Sequence, residues 1–293
     1  MTDSNYPRPQ DVRPRDELQL PPFLYGTAWK EDATAGLVQL ALQQGFRGLD
    51  TANQRKHYHE AGVGQGLAAA ISAGVVTRDQ LFLQTKFTFR GGQDDRLPYD
   101  ERAPIANQVE QSFASSLAHL GVQRLESYVL HGPSQRVGLG AVDWEAWQAM
   151  EAIHGRGLTS DLGISNVSRP QLELLCSQAK VRPRFVQNRC YAARGWDREV
   201  REFCQANRLI YQGFSLLTAN REVLVHPTTQ AIAARHQRST IQVVFRFAQQ
   251  IGMLPLTGTT SAEHMRTDLA IHDAQAGFQL DPGELAQIES LAG

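Results

Sequence analysis

Short apolar runs alternate with longer amphipathic stretches along most of the chain. The apolar runs cover residues 23–28, 48–52, 81–87, 127–130, 160–165, 185–190, 209–215 and 253–256. Each has the length of a buried strand. Helical spacing fills the intervals at 34–44, 63–73, 104–120, 143–154, 169–178, 197–207, 229–236, 240–250 and 262–271, and in a last helix ending at Leu291. The first of these helices carries Leu37, Leu40 and Ala41 on one face and stops at Gly45, as a glycine just past the last turn favours. Gly74 stops the second, Pro104 sits in the first turn of the third, and Asp143 is the expected N-cap of the fourth. Asp281-Pro282-Gly283-Glu284 reads as a capping box for the last helix.

Strands that alternate with helices predict a parallel sheet. Eight such units in a chain of 293 residues predict a closed (β/α)8 TIM barrel, of the α/β class, as one domain over residues 18–293. Residues 1–17 are polar, with prolines, and predict a flexible leader. An open doubly wound sheet is the runner-up, but no GxGxxG follows the first strand.

Composition narrows the partners. With 29 basic and 30 acidic side chains the formal charge is −1, which argues against nucleic acid. No apolar run approaches the ~18 residues that would suggest a membrane span, and the first residues lack the apolar core of a secretory signal. Cys176, Cys190 and Cys204 form no CxxC pair, so reduced thiols in a cytoplasmic setting are expected. A monomer is the default expectation.

In such a barrel the C-terminal ends of the strands face one common site. That rule selects Asp50, Lys86, His131, Ser165, Asn166, Gln187, Phe214 and Ser215, with Tyr58 in the loop after the second strand. Three titratable groups on successive strand ends suit proton transfer. Tyrosine alone is a weak acid, with a reference pKa of about 10, and a nearby ammonium is expected to lower it. His57 and His59 flank Tyr58 at a spacing that, without a third ligand, predicts no metal site. Trp29 and Trp196 each follow a strand end, where an indole can wall a substrate pocket. Trp144 and Trp147 share a helix face and predict packing.

Seven segments in order then resemble the aldo-keto reductases, in their bacterial form. They are GLDTA with the following tyrosine and EAGVG, LQTKF, YVLHGP, LGISN, FVQNRCY, YQGFSLL and PLTGTTSAEHMRTDLA. The resemblance implies a catalytic tetrad of Asp50, Tyr58, Lys86 and His131 that reduces aldehyde or ketone carbonyls with NADP, NAD being the alternative. Tyr58 would give the proton, Lys86 and Asp50 would support it, and His131 would orient the carbonyl. It implies cofactor contacts at Gly26, Thr27, Asp50, Ser165, Asn166, Gln187, Phe214, Ser215, Leu217, Gly258, Thr259, His264 and Asp268. Trp29, His57 and His131 would border the small carbonyl substrate.

Three departures from the family pattern bear on this reading. The interval from Asp50 to Tyr58 is longer than the family's DTAxxY. Counting back from Val63-Gly64 without gaps puts His57 at the donor position, whereas a loop insertion keeps Tyr58 there, and the three intact partners favour Tyr58. The family's basic residues for the 2′-phosphate are replaced by Leu256-Thr257-Gly258-Thr259, with Arg266 as the substitute. The chain ends at Gly293, just after the last helix, so an open site is expected, with the polar loop 88–103 either covering it or moving freely. Loss of Tyr58 function would instead leave a cofactor-binding redox sensor or regulatory subunit.

Overall fold

The computed structural model describes residues 20–272 and 277–291, so the expected leader lies outside the described residues. The strands are β1 (Leu24–Gly26), β2 (Gly48–Asp50), β3 (Phe82–Phe87), β4 (Leu125–Leu130), β5 (Thr159–Ser165), β6 (Phe185–Arg189), β7 (Ile210–Phe214) and β8 (Met253–Thr257). They pair in parallel in chain order and close through β8 and β1, with Leu24 opposite Leu256. The expected barrel is therefore the fold.

Alternation along each strand builds the barrel interior in layers. Leu24, Phe82, Phe185 and Leu254 form an apolar cluster near the strand beginnings. Two residues further on, the inward positions turn polar, with Asp50, Gln84, Gln187 and Gln212 all buried. Lys86 follows Gln84, and Phe214 follows Gln212, at the mouth. The outward faces bury a separate apolar core against the surrounding helices.

Helices alternate with or follow these strands: α1 (Thr34–Gln43), α2 (Glu60–Ser72), α3 (Ile105–Leu120), α4 (Ala141–Gly155), α5 (Arg169–Gln178), α6 (Arg198–Ala206), α7 (Arg221–Val225) and α8 (Pro227–His236). Then come α9 (Thr240–Gln250) before β8, and α10 (Ala262–Leu269) and α11 (Pro282–Glu289) after it. Most boundaries agree with the sequence pattern within a few residues. The capping box of α11 is formed, with Glu284 N–H donating to Asp281 Oδ1 at 2.8 Å.

Several local expectations are corrected. Helix α2 starts at Glu60, three residues early, because Glu60 is buried and anchored by Thr85 Oγ1 at 2.5 Å. Asp143 is not an N-cap. It lies in the first turn of α4, where its carboxylate accepts from the N–H groups of Ser134 and Gly140, both at 2.7 Å. The short α7 had no periodic signal. Trp196 does not wall a pocket: it is fully buried and its indole N–H reaches the Ile288 carbonyl at 3.3 Å. Trp147 packs in the core as expected.

The loop 88–103 is tied down. Tyr99 is buried and its hydroxyl donates to Thr88 O at 2.8 Å, while Gln93 Nε2 donates to Asn53 O at 2.8 Å and Gln54 Nε2 to Gly92 O at 2.6 Å. It thus stands beside the loop that carries Tyr58.

Candidate active site

Strands β2 and β3 deliver the charged centre. Lys86 is fully buried and its Nζ donates to both Asp50 oxygens, at 2.6 and 2.7 Å, and to Thr51 O at 2.8 Å. Asp50 Oδ1 also accepts from Gln84 Nε2 at 2.7 Å and Gln187 Nε2 at 3.0 Å. Gln212 joins both glutamines, accepting from Gln84 at 2.8 Å and Gln187 at 3.0 Å and donating back to Gln84 Oε1 at 2.9 Å. A buried ion pair survives only when its remaining hydrogen-bonding capacity is filled, and this amide ring does that. Burial lowers the pKa of Lys86 and the Asp50 carboxylate opposes it.

The 52–59 loop positions Tyr58. Its turn is held by Tyr58 N–H to Gln54 O at 3.0 Å, by Asn53 Nδ2 to Ser112 O at 2.9 Å, and by Trp29 N–H to His57 O at 2.7 Å. The Tyr58 ring centroid lies 5.4 Å from Lys86 Nζ and 6.0 Å from the His131 ring. His57 stacks on Trp29 instead, at 4.0 Å between centroids, out on the rim. Of the two candidates, Tyr58 is the one packed among Asp50, Lys86 and His131. Its pKa runs opposite to the expectation: burial, and then the Asp50 charge, push it up. The bidentate carboxylate cancels much of the ammonium's field at the ring.

Among the described residues no hydrogen bond occupies the Tyr58 hydroxyl. His131 sits at the end of β4 with Nδ1 2.7 Å from Thr88 Oγ1. Burial, with Lys86 and His57 nearby, lowers it to about 3, so the imidazole is neutral at physiological pH.

A cleft of about 860 Å³ runs from this centre across the barrel mouth to β8 and α10. It takes in Gly26, Trp29, Asp50, His57, Tyr58, His131, Ser165, Gln187, Phe214, Ser215, Leu217, Gly258, Thr259, His264 and Asp268. Two expected contacts are not among its lining residues: Thr27 is buried behind it and Asn166 is exposed to solvent. Thr27 is fully buried and its hydroxyl donates to Asp50 O at 2.9 Å. Asn166, at φ 52°, donates from Nδ2 to His131 O at 2.8 Å and to Ser165 Oγ at 3.1 Å. Arg266 does not face the cleft and donates to Gln44 Oε1 at 3.0 Å.

Sequence reading passed over Gln84 and Gln212, two glutamines in otherwise apolar strands, which is a legible signal. It also passed over two cations. Lys30 is 7% exposed, donates to Gly258 O at 2.8 Å, and burial brings it down to about 8. Arg189 ends β6 in the cleft, its guanidinium 5.6 Å from the Phe214 ring centroid. Lys30 follows the exposed Trp29 in a loop, and nothing local marks it as buried. Among the described residues no cluster of three or more metal-ligating side chains occurs, and no helix is long and apolar enough to cross a membrane.

Residues 24–292 match the model of the Aldo/keto reductase family. An uncharacterized oxidoreductase of Bacillus subtilis, YtbE, is 26% identical over 94% of this chain and 90% of its own length. The NAD(P)H-dependent 6′-deoxychalcone synthase of Glycine max is 30% identical over 83% of this chain and 78% of its own. Among solved structures, aldo-keto reductase AKR2E5 of the silkworm, Bombyx mori, complexed with NADPH, superposes with a TM-score of 0.79 at 23% identity. That match covers 94% of this chain and 85% of the silkworm chain.

Proposed function

Because the chain belongs to the aldo/keto reductase family, we propose that it moves hydride between a nicotinamide dinucleotide and a carbonyl–alcohol pair. Aldehydes or ketones are the substrates in the reducing direction. The observation that carries this reading is the convergence of Tyr58, His131 and the buried Lys86–Asp50 pair at one end of a long cleft. NADP is the proposed cofactor, by analogy with the NADPH-complexed silkworm enzyme, and NAD is the alternative.

The cleft's chemistry fits such a cofactor. Phe214 supplies a ring face at the mouth. Gln187 keeps its amide nitrogen on Asp50 and Gln212, which leaves Oε1 to accept from a carboxamide. Lys30 and Arg189 bring positive charge, and Ser215, Thr218 and Ser239 bring hydroxyls, the donor set a pyrophosphate needs. When bound, the dinucleotide supplies the hydride.

The chain's own residues handle the oxygen. Tyr58, its proton held firmly by burial, donates from Oη as negative charge grows on the carbonyl oxygen. Neutral His131, one nitrogen engaged by Thr88, offers the other for orienting that oxygen. Lys86 offsets the phenolate that forms, and Asp50 fixes Lys86. Free thiols at Cys176, Cys190 and Cys204 suit a reducing, cytoplasmic setting.

The test follows reduced-nicotinamide absorbance with NADPH and NADH separately against aldehydes and diketones. Tyr58→Phe is expected to lower kcat by roughly 10²–10⁴-fold, and His57→Ala to retain turnover. Loss confined to His57→Ala would move the proton donor to the rim. Absence of turnover on any carbonyl by the wild type would remove the reductase reading.

A further inference from the structure

A second pocket, of about 330 Å³, opens on the substrate side of Tyr58 and shares Trp29, His57 and Tyr58 with the large cleft. Its outer wall is built by the 53–57 stretch that lengthens the interval between Asp50 and Tyr58, and by the loop after β3. Arg55, Lys56 and Arg96 supply three cations there, beside the acids Glu31 and Asp32.

These charges are not equivalent. Arg96 is already engaged: its guanidinium pairs with Asp94 and donates to Arg55 O at 2.9 Å, so it braces the backbone of the basic wall. Glu31 and Asp32 lie in the turn that leads into α1, where acidic side chains favour a helix start. Among the described residues neither Arg55 nor Lys56 forms a salt bridge, and the one carboxylate that feels Arg55, Asp94, is bonded to Arg96 instead. Arg55 and Lys56 are adjacent like charges on a short loop, an arrangement that favours a bound anion over an empty pocket. The Trp29 and His57 rings, 4.0 Å apart and tilted by 37°, give the same pocket an aromatic wall for the carbon skeleton. Burial and Lys56 hold the His57 imidazole below its ordinary pKa, which keeps that wall uncharged.

We propose that this pocket selects carbonyl substrates bearing a carboxylate remote from the reacting carbon, with the carboxylate held by Arg55 and Lys56. The inference rests on the reductase reading above and names the substrate class of the same site. Arg55 suits the role through its planar fork, which matches a carboxylate. Lys56 acts as an exposed point charge, so its share is screened by salt.

Three aldehydes of similar size separate the possibilities: 4-carboxybenzaldehyde, the neutral 4-formylbenzamide, and the cationic 4-(dimethylaminomethyl)benzaldehyde. The wild type is expected to give the carboxylate a kcat/KM roughly three- to tenfold above the amide, the range that one or two exposed charge contacts supply. The ratio should shrink in raised salt and fall to parity in Arg55→Gln/Lys56→Gln. Arg55→Lys alone, which keeps the charge, should retain most of it. Equal rates for acid and amide would overturn the proposal, as would a preference for the cationic aldehyde, which would put the Glu31–Asp32 wall in control.

Calorimetric titration with benzene-1,4-dicarboxylate provides a readout without turnover. It should bind the wild type and not the double variant, and equal binding to both would count against the proposal. Binding that depends on Arg55 and Lys56, with no carbonyl of any kind reduced, would sustain the anion pocket while removing the reductase reading.

Discussion

Asp50 and Asp268 are both buried carboxylates on the cleft, and their surroundings differ. Asp50 meets an ammonium and two amides, whereas Asp268 accepts from the Thr257 hydroxyl at 2.9 Å. Burial therefore dominates at Asp268 and raises it to about 6. The folded state then holds the proton more tightly than the unfolded chain, whose aspartate titrates near 3.9. Its contribution is most favourable below about pH 4 and is lost as pH rises through about 6. Asp268→Asn, which can still accept from Thr257, is expected to stabilise the cofactor-free protein at pH 7 by about 2–3 kcal/mol. Urea unfolding should show that gain vanish by pH 4, and a gain that persists at pH 4 would refute the titration argument. The amide ring predicts the reverse. Gln212→Leu strips Gln84 of a donor and leaves two amide N–H groups short of an acceptor, at a cost of about 2–4 kcal/mol. The same urea experiment reads that loss, and an unchanged midpoint would mean that the ring is dispensable.

At the scale of elements, α2 is the part that places Tyr58, and two glycines seat it. A Cβ on Gly64 would overlap the His119 carbonyl oxygen at the end of α3, and one on Gly66 would overlap Ala35 O in α1. Gly64→Ala is thus expected to cost about 1–3 kcal/mol and to lower turnover by shifting the loop ahead of the helix. Gly36→Ala, on the exposed face of α1 with open space around it, should add about 0.5–1 kcal/mol. Thermal melts of the two variants should move in opposite directions, and matching shifts would show that helix seating is not the cause. These same elements show what the sequence could say. Short apolar runs revealed the strands, which are buried on both faces, and helical spacing revealed nearly all the helices, which bury one. Strand-end positions revealed Asp50, Lys86 and His131, because the barrel turns those ends inward. Lys30 was not legible: its burial depends on Tyr25 and Gly258, and Gly258 lies across the closing strand. The direction of the Tyr58 shift was not legible either, since it follows first from burial of the group and then from the Asp50 charge. Asn166 and Thr27 read as cofactor contacts by motif, yet Thr27 is buried with its hydroxyl on the Asp50 carbonyl, while Asn166 is exposed with its amide on the His131 carbonyl and the Ser165 hydroxyl.

For the whole molecule, the cleft matters because of where it runs. It joins the β2 and β4 ends to β8 and α10, across the β8–β1 seam that closes the barrel. Helix α11 braces the same structure from outside, with Glu289 paired to Arg201 at 2.9 Å and Glu284 to His236 at 2.8 Å. A ligand spanning the cleft contacts the first and last strands together, so its binding energy is added to global unfolding and not to one loop. At a hundredfold excess over Kd that is about 2.7 kcal/mol. With about 2–4 °C per kcal/mol for a domain near this size, the melting temperature should rise by roughly 5–10 °C in NADPH. Tyr58→Phe should show nearly the same rise, because the hydroxyl it loses is proposed to serve the substrate oxygen, while the dinucleotide would be held by the rest of the cleft. A shift in NADH and none in NADPH would reverse the cofactor assignment, which the absence of Arg266 from the cleft makes a real contest. No shift in either would mean that the cleft does not hold a dinucleotide. Equal shifts in wild type and variant, with turnover in the wild type alone, would separate binding from chemistry at the Tyr58 hydroxyl, the proposed proton donor.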